Sequence, residues 1–113
     1  RKISKSDPVI DWTDTAQSLA RKIRAFNPFP IAYTTLAKDR IKIWQAEPLA
    51  GTTGTAGVIA QASKQGIVVN CGEGQLRISR LQLPGGKALD VAAVMNSKAD
   101  LFSVGTVLGK TEP

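Results

Sequence analysis

Gln75-Leu76-Arg77-Ile78-Ser79-Arg80-Leu81-Gln82-Leu83-Pro84 alternates apolar and polar side chains, but the alternation slips by one residue partway along. Leu76 and Ile78 share one phase, and Leu81 and Leu83 share the other. Strict alternation marks a half-buried strand, and a slip of one is what an extra residue near Ser79-Arg80, a β-bulge, produces. A long strand bulged in its middle belongs in a small, strongly bent barrel. The neighbouring stretches agree. Arg40–Leu49 places Ile41 and Ile43 on one face and Arg40, Lys42 and Trp44 on the other. Ala32–Ala37 reads as the strand before it, with Lys38-Asp39 at the hairpin tip. Val58–Ala62 and Ile67–Cys71 form a second hairpin around Ser63-Lys64-Gln65-Gly66, and Gly72-Glu73-Gly74 turns into the bulged strand.

A different period precedes the strands. Between Trp12 and Phe26 the apolar positions 16, 19, 20, 23 and 26 fall on one helical face, predicting a helix of about four turns. Thr13 is the expected N-cap, with Asp14 beside the positive end of the helix dipole. Arg21, Lys22 and Arg24 lie off the apolar face near its C-terminal end, and Pro28 stops the helix. After Pro84-Gly85-Gly86 a short helix is expected with Asp90 as N-cap, then a brief helical or turn segment to Phe102 and a candidate last strand at Gly105–Leu108. The expected architecture is α+β and mainly β: an open Greek-key barrel resembling an OB-fold, about five or six strands, one N-terminal helix and one or two short C-terminal helices.

Composition narrows the chemistry. The chain has 113 residues, 42% hydrophobic and 21% charged, which suits one packed domain. No apolar run approaches the ~20 residues of a membrane span, and no segment has the layout of a secretion signal. The expectation is a cytoplasmic domain with no membrane partner, acting as a monomer. The chain has no histidine, which excludes Ser-His-Asp and Cys-His nucleophile systems, HExxH sites and imidazole proton shuttles. Its single cysteine, Cys71, makes no internal disulfide and no zinc cluster; at the end of an apolar strand it reads as a small buried hydrophobe. No catalytic residue, cofactor-binding residue or metal ligand is assigned.

Charge is the informative quantity. Fifteen Lys/Arg against nine Asp/Glu give +6, and residues 15–87 alone hold ten bases against three acids. Clustered Lys/Arg release condensed counterions from a phosphate backbone, so a polyanion is the natural partner; a merely well-solvated basic surface is the alternative. On Arg40–Leu49 two cations and an indole share a face, as where phosphate contacts and base stacking act together. For Arg40 and Lys42 anion contact is the preferred reading; for Trp44 a packing role over the barrel is preferred. Pro84-Gly85-Gly86-Lys87 leads toward an expected helix start whose backbone N–H groups are suited to anions, although a plain strand-to-helix turn accounts for it equally. Gly51–Gly57 has a GxxGxxG spacing without the Lys-Ser/Thr of a P-loop and reads as a connection.

Taken in order, Ile10-Asp11-Trp12, Arg24-Ala25-Phe26-Asn27-Pro28-Phe29-Pro30, Ile41-Lys42-Ile43-Trp44, Leu81-Gln82-Leu83-Pro84-Gly85-Gly86-Lys87 and Asn96-Ser97 resemble the C-terminal domain of bacterial methionyl-tRNA formyltransferase, from about Ile3 to Leu108. Phe29 departs from the tryptophan expected in many members. The resemblance implies a basic interdomain linker at 1–10, a C-terminal barrel at 11–108 and a tail at 109–113. It also implies an N-terminal Rossmann-like catalytic domain that is absent from this chain. That domain would hold 10-formyltetrahydrofolate, the formyl donor to the amino group of methionyl-initiator tRNA in translation initiation, so the chain alone would be non-catalytic. The implied partners are initiator methionyl-tRNA and the catalytic domain. The implied tRNA-backbone contacts come from Arg1, Lys2, Lys5, Lys38, Arg40, Lys42, Lys64, Arg77, Arg80 and Lys87. A related formyltransferase acting on nucleotide sugars or formyl-folate would use the same barrel as a brace without RNA.

Overall fold

Helix α1 (Ala16–Ala25) buries the stripe Ala16, Leu19, Ala20 and Ile23. It begins two residues later than the expected Thr13 cap. Asp11 captures Thr13, accepting from its hydroxyl at 2.6 Å, and the Asp14 N–H bonds the Asp11 carbonyl, so residues 11–14 form a turn. Thr15 is the N-cap, its Oγ1 accepting from the Ser18 N–H at 3.1 Å. The helix is therefore ten residues long, shorter than four turns. The computed structural model describes residues 8–27, 31–36, 39–51 and 54–109.

Six strands follow in one sheet: β1 (Tyr33–Leu36), β2 (Asp39–Leu49), β3 (Ile59–Ser63), β4 (Gly66–Asn70), β5 (Gln75–Gln82) and β6 (Ala88–Asp90). The order is β1-β2-β5-β4-β3, all pairs antiparallel, with β6 on β5. Strands β3, β4 and β5 form a meander, and β2, reached by the long connection through residues 50–58, lies beside β5, which is the Greek-key arrangement. β5 pairs with β4 through Gln75–Ile78 and with β6 through Arg80–Gln82, so the sheet bends where the partner changes.

The bulge read from the sequence is present. Ala46 opposes Ile78 while Gln45 opposes Arg80, leaving Ser79 as the extra residue on β5. A compensating bulge, not foreseen, leaves Trp44 extra on β2 between Ile43↔Leu81 and Gln45↔Arg80. Leu76, Ile78 and Leu81 thereby all reach the core with Ile41, Ile43, Ile59 and Phe102, each 0–1% exposed.

Residues 105–109 run between the two outer strands and close the sheet. The N–H groups of Gly105 and Gly109 donate to Ile59 and Thr35, and Val107 bridges Val58. The expected last strand is thus a single bridge with flanking hydrogen bonds. Trp12 plugs this closure, 4% exposed, its indole N–H donating to Thr34 Oγ1 at 2.9 Å. Gly109 packs on the ring with φ 72, where a Cβ would lie 2.8 Å from Cδ1.

At the other end α2 (Val91–Lys98) and a 3-10 helix (Ala99–Phe102) cover the core with Val91, Val94 and Phe102. Asp90 is the N-cap residue of α2, as expected, but its side chain makes no cap bond and is instead paired with Arg80. The glycine turn at 84–86 leads into β6 and not into a helix start, so it is neither the anion-holding helix start nor the strand-to-helix turn that the sequence left open. Cys71 is buried as anticipated, and desolvation pushes its thiol up to about 11.

Candidate nucleic-acid interface

The outward face of β2 and its neighbours carries the expected charges in an uneven pattern. Alternation sends Arg40 and Lys42 to the exposed side while Ile41 and Ile43 are buried. Lys42 stands opposite Tyr33 on β1 and Gln82 on β5, and the Arg40 guanidinium lies 4.7 Å from the Tyr33 ring centroid. Such a cation–π contact orients Arg40 while leaving its charge intact. Neither Arg40 nor Lys42 pairs with a carboxylate among the described residues.

Gln82 organises the next step along the face. Its Oε1 accepts from the Trp44 indole N–H at 2.9 Å, and its Nε2 donates to the Gly86 carbonyl at 2.9 Å. The loop carrying exposed Lys87 is therefore fastened beside Lys42 and Trp44.

Arg77 and Arg80 differ. Arg77 is ion-paired with Glu47 across β5–β2, and Arg80 with Asp90 at 2.8 Å across β5–β6. Acids interleave with bases on that side, so both guanidinium groups are partly neutralised. Lys64 is exposed in the β3–β4 turn, at the far end of the strand order from β1 and β2. Arg1, Lys2, Lys5 and Lys38 lie outside the described residues. Val9, however, bridges Tyr33, and the Tyr33 N–H donates to the Pro8 carbonyl, so the segment that follows the N-terminal bases is fixed on the β1 edge next to Tyr33.

Two grooves flank this face. One, about 650 Å³, lies between the last turn of α1 and β2 and is lined by Arg24, Asn27, Trp44, Gln45, Glu47 and Ser79, among others. The other, about 410 Å³, lies at the start of α1 beside Leu49, Glu73 and Gly74, and carries no cation among the described residues. Read along the helix, Arg24 is one more cation at a C-terminal end; only the docking of α1 on β2 brings it to the groove that Trp44 lines. Lys22 is committed otherwise, its Nζ donating to the Val9 carbonyl at 2.7 Å.

A curled Greek-key sheet with one helix at its entry and exposed cations along β2 defines a small, mainly-β open barrel. Residues 2–99 match the family described as formyl transferase, C-terminal domain, and the chain belongs to that family. It is 47% identical over 109 residues to the methionyl-tRNA formyltransferase of Pseudomonas savastanoi pv. phaseolicola and 48% identical over 109 residues to that of Stutzerimonas stutzeri. In both cases the match covers 96% of this chain and 34% of the relative, so the chain spans about a third of their length. Among solved structures, HypX from Aquifex aeolicus in complex with tetrahydrofolic acid shares the fold, with a TM-score of 0.68 at 18% identity over 83% of this chain and 17% of that one. Among the described residues no helix is long and apolar enough to cross a membrane.

Proposed function

We propose that this chain is the tRNA-binding C-terminal domain of a methionyl-tRNA formyltransferase, holding initiator methionyl-tRNA by its backbone while the formyl transfer from 10-formyltetrahydrofolate takes place in the remaining two-thirds of the protein. The observation that carries this reading is the pair Arg40 and Lys42, exposed at alternate positions of β2, free of carboxylate partners among the described residues and framed by Tyr33. Alternate residues of a strand stand about 6.7 Å apart, which lets the two cations serve neighbouring phosphates. Lys87 extends this surface on one side. On the other, Arg1, Lys2 and Lys5 precede the anchored Pro8, and Lys5 is only three residues away, within about 11 Å along the chain. The basic linker to the catalytic domain accordingly lies ahead of Pro8, because Val9 and Ile10 are built into the barrel that runs on to Leu108.

Arg77 and Arg80 are secondary contacts, since each must be drawn from its carboxylate. Phosphate contacts fix the position of an RNA without reading its sequence, so discrimination of the initiator falls to the catalytic domain. The high identity to proteins named methionyl-tRNA formyltransferase supports the substrate. Filter binding of tRNA to Arg40→Glu/Lys42→Glu tests the reading. Loss of retention is expected; undiminished retention would favour a barrel that only braces its catalytic domain.

A further inference from the structure

We infer that the groove between the end of α1 and β2 is a seat for one unpaired nucleotide, its base stacked on Trp44 and its phosphate on Arg24. This rests on the RNA reading above and adds to it a contact that backbone binding to a duplex does not need.

The groove has the parts such a seat requires. Its volume of about 650 Å³ falls within the range of small-molecule sites. Trp44 is the bulged residue of β2, and it is held at two points. Its indole N–H is bonded to Gln82, and its backbone carbonyl accepts from Asn27 Nδ2 at 3.1 Å. Trp44 is half-buried and lines the groove, and the indole bond to Gln82 fixes its ring before any ligand arrives, so stacking would cost little side-chain freedom.

Arg24 lines the same groove from the last turn of α1, exposed and without a carboxylate partner among the described residues. Glu47, the one acid among the described lining residues, is held by Arg77. Gln45 and Ser79 add hydrogen-bonding groups that suit a base edge or a sugar hydroxyl. Lys42, two residues before Trp44 on the same outward run, continues the cationic track to the next phosphate. Aromatic stacking flanked by cations is how single strands are held irrespective of sequence. Packing of Trp44 over the barrel, preferred from sequence, accounts for its buried half but not for the unpaired Arg24 beside it.

The test is a titration of the whole 113-residue chain with hexauridylate and with a twelve-base-pair RNA duplex, followed by tryptophan emission and by anisotropy of labelled RNA. Trp12 is 4% exposed, so quenching on binding reports Trp44. Hexauridylate is expected to quench. Trp44→Ala should weaken hexauridylate at least about fivefold, the low end of one base stack, with duplex affinity moving less than twofold; Trp44→Phe should retain most binding, and Arg24→Ala should weaken hexauridylate. Undiminished duplex binding also shows that the variants are folded. If the duplex binds but hexauridylate causes no quenching, or Trp44→Ala weakens both RNAs equally, the nucleotide seat is refuted while the backbone reading stands. If neither RNA binds at low salt, both fall.

Discussion

Glu47→Gln should strengthen RNA binding, and the size of the gain follows from the geometry. Glu47 lines the Trp44 groove and is the carboxylate that pairs with Arg77. Their side chains are 53% and 39% exposed, so the pair is a surface one and its removal costs at most about 1 kcal/mol of stability. Releasing Arg77 offers the RNA one more cation. Each added phosphate contact steepens the dependence of log K on log salt by roughly 0.7 to 0.9, so the advantage of the variant over the parent should shrink about threefold between 50 and 200 mM salt. The assay is anisotropy of labelled tRNA across that salt range, with thermal melting to show that both proteins are folded. Asp100→Asn, which removes the same charge from the 3-10 helix away from β2, is the control and should gain less. A variant slope equal to the parent's, or equal gains from both substitutions, would refute the idea that this face receives the phosphates.

Three further outcomes concern the scaffold. Thr34→Val deletes the acceptor of the buried Trp12 indole N–H and should cost about 1–3 kcal/mol in urea unfolding, with RNA affinity unchanged where the protein is folded. Gly72→Ala would place a Cβ 1.9 Å from the Thr13 carbonyl oxygen, and should lower the melting temperature more than any surface substitution, because backbone must move. The Cys71 thiol ionises near 11 when folded against an ordinary 9.0. A raised value stabilises fully below pH 9 and the contribution is lost as pH rises toward 11, so stability relative to Cys71→Ala should hold below pH 9 and fall above it.

Much of this fold is legible because period-two patterning survives in the strands that face water on one side. Arg40–Leu49 and Gln75–Gln82 could be aligned to the core by their alternation, and the phase slip at Ser79 located the bend. What escaped was long-range. The second bulge at Trp44 has no mark of its own in β2, since an aromatic residue suits either face. β6 is three residues long and was absorbed into the helix that follows. Thr13 is not the cap because residues 11–14 form a turn, with Asp11 accepting from the Thr13 hydroxyl and the Asp14 N–H, so the helix starts after Thr15. At the candidate site, the positions of Arg40 and Lys42 followed from local alternation, but the pairing of Arg77 with Glu47 and Arg80 with Asp90 depends on strand register, and the arrival of Arg24 beside Trp44 depends on how α1 docks. Charge counting over residues 15–87 could not separate the cations that are free from those already partnered.

The most direct measurement is the salt dependence of tRNA binding for the parent and for Arg40→Ala/Lys42→Ala. An interface built on these two cations predicts a slope of log K against log salt shallower by about 1.4 to 1.8 in the double variant. A slope left unchanged by losing both would mean that the RNA is held elsewhere, or not by this barrel at all.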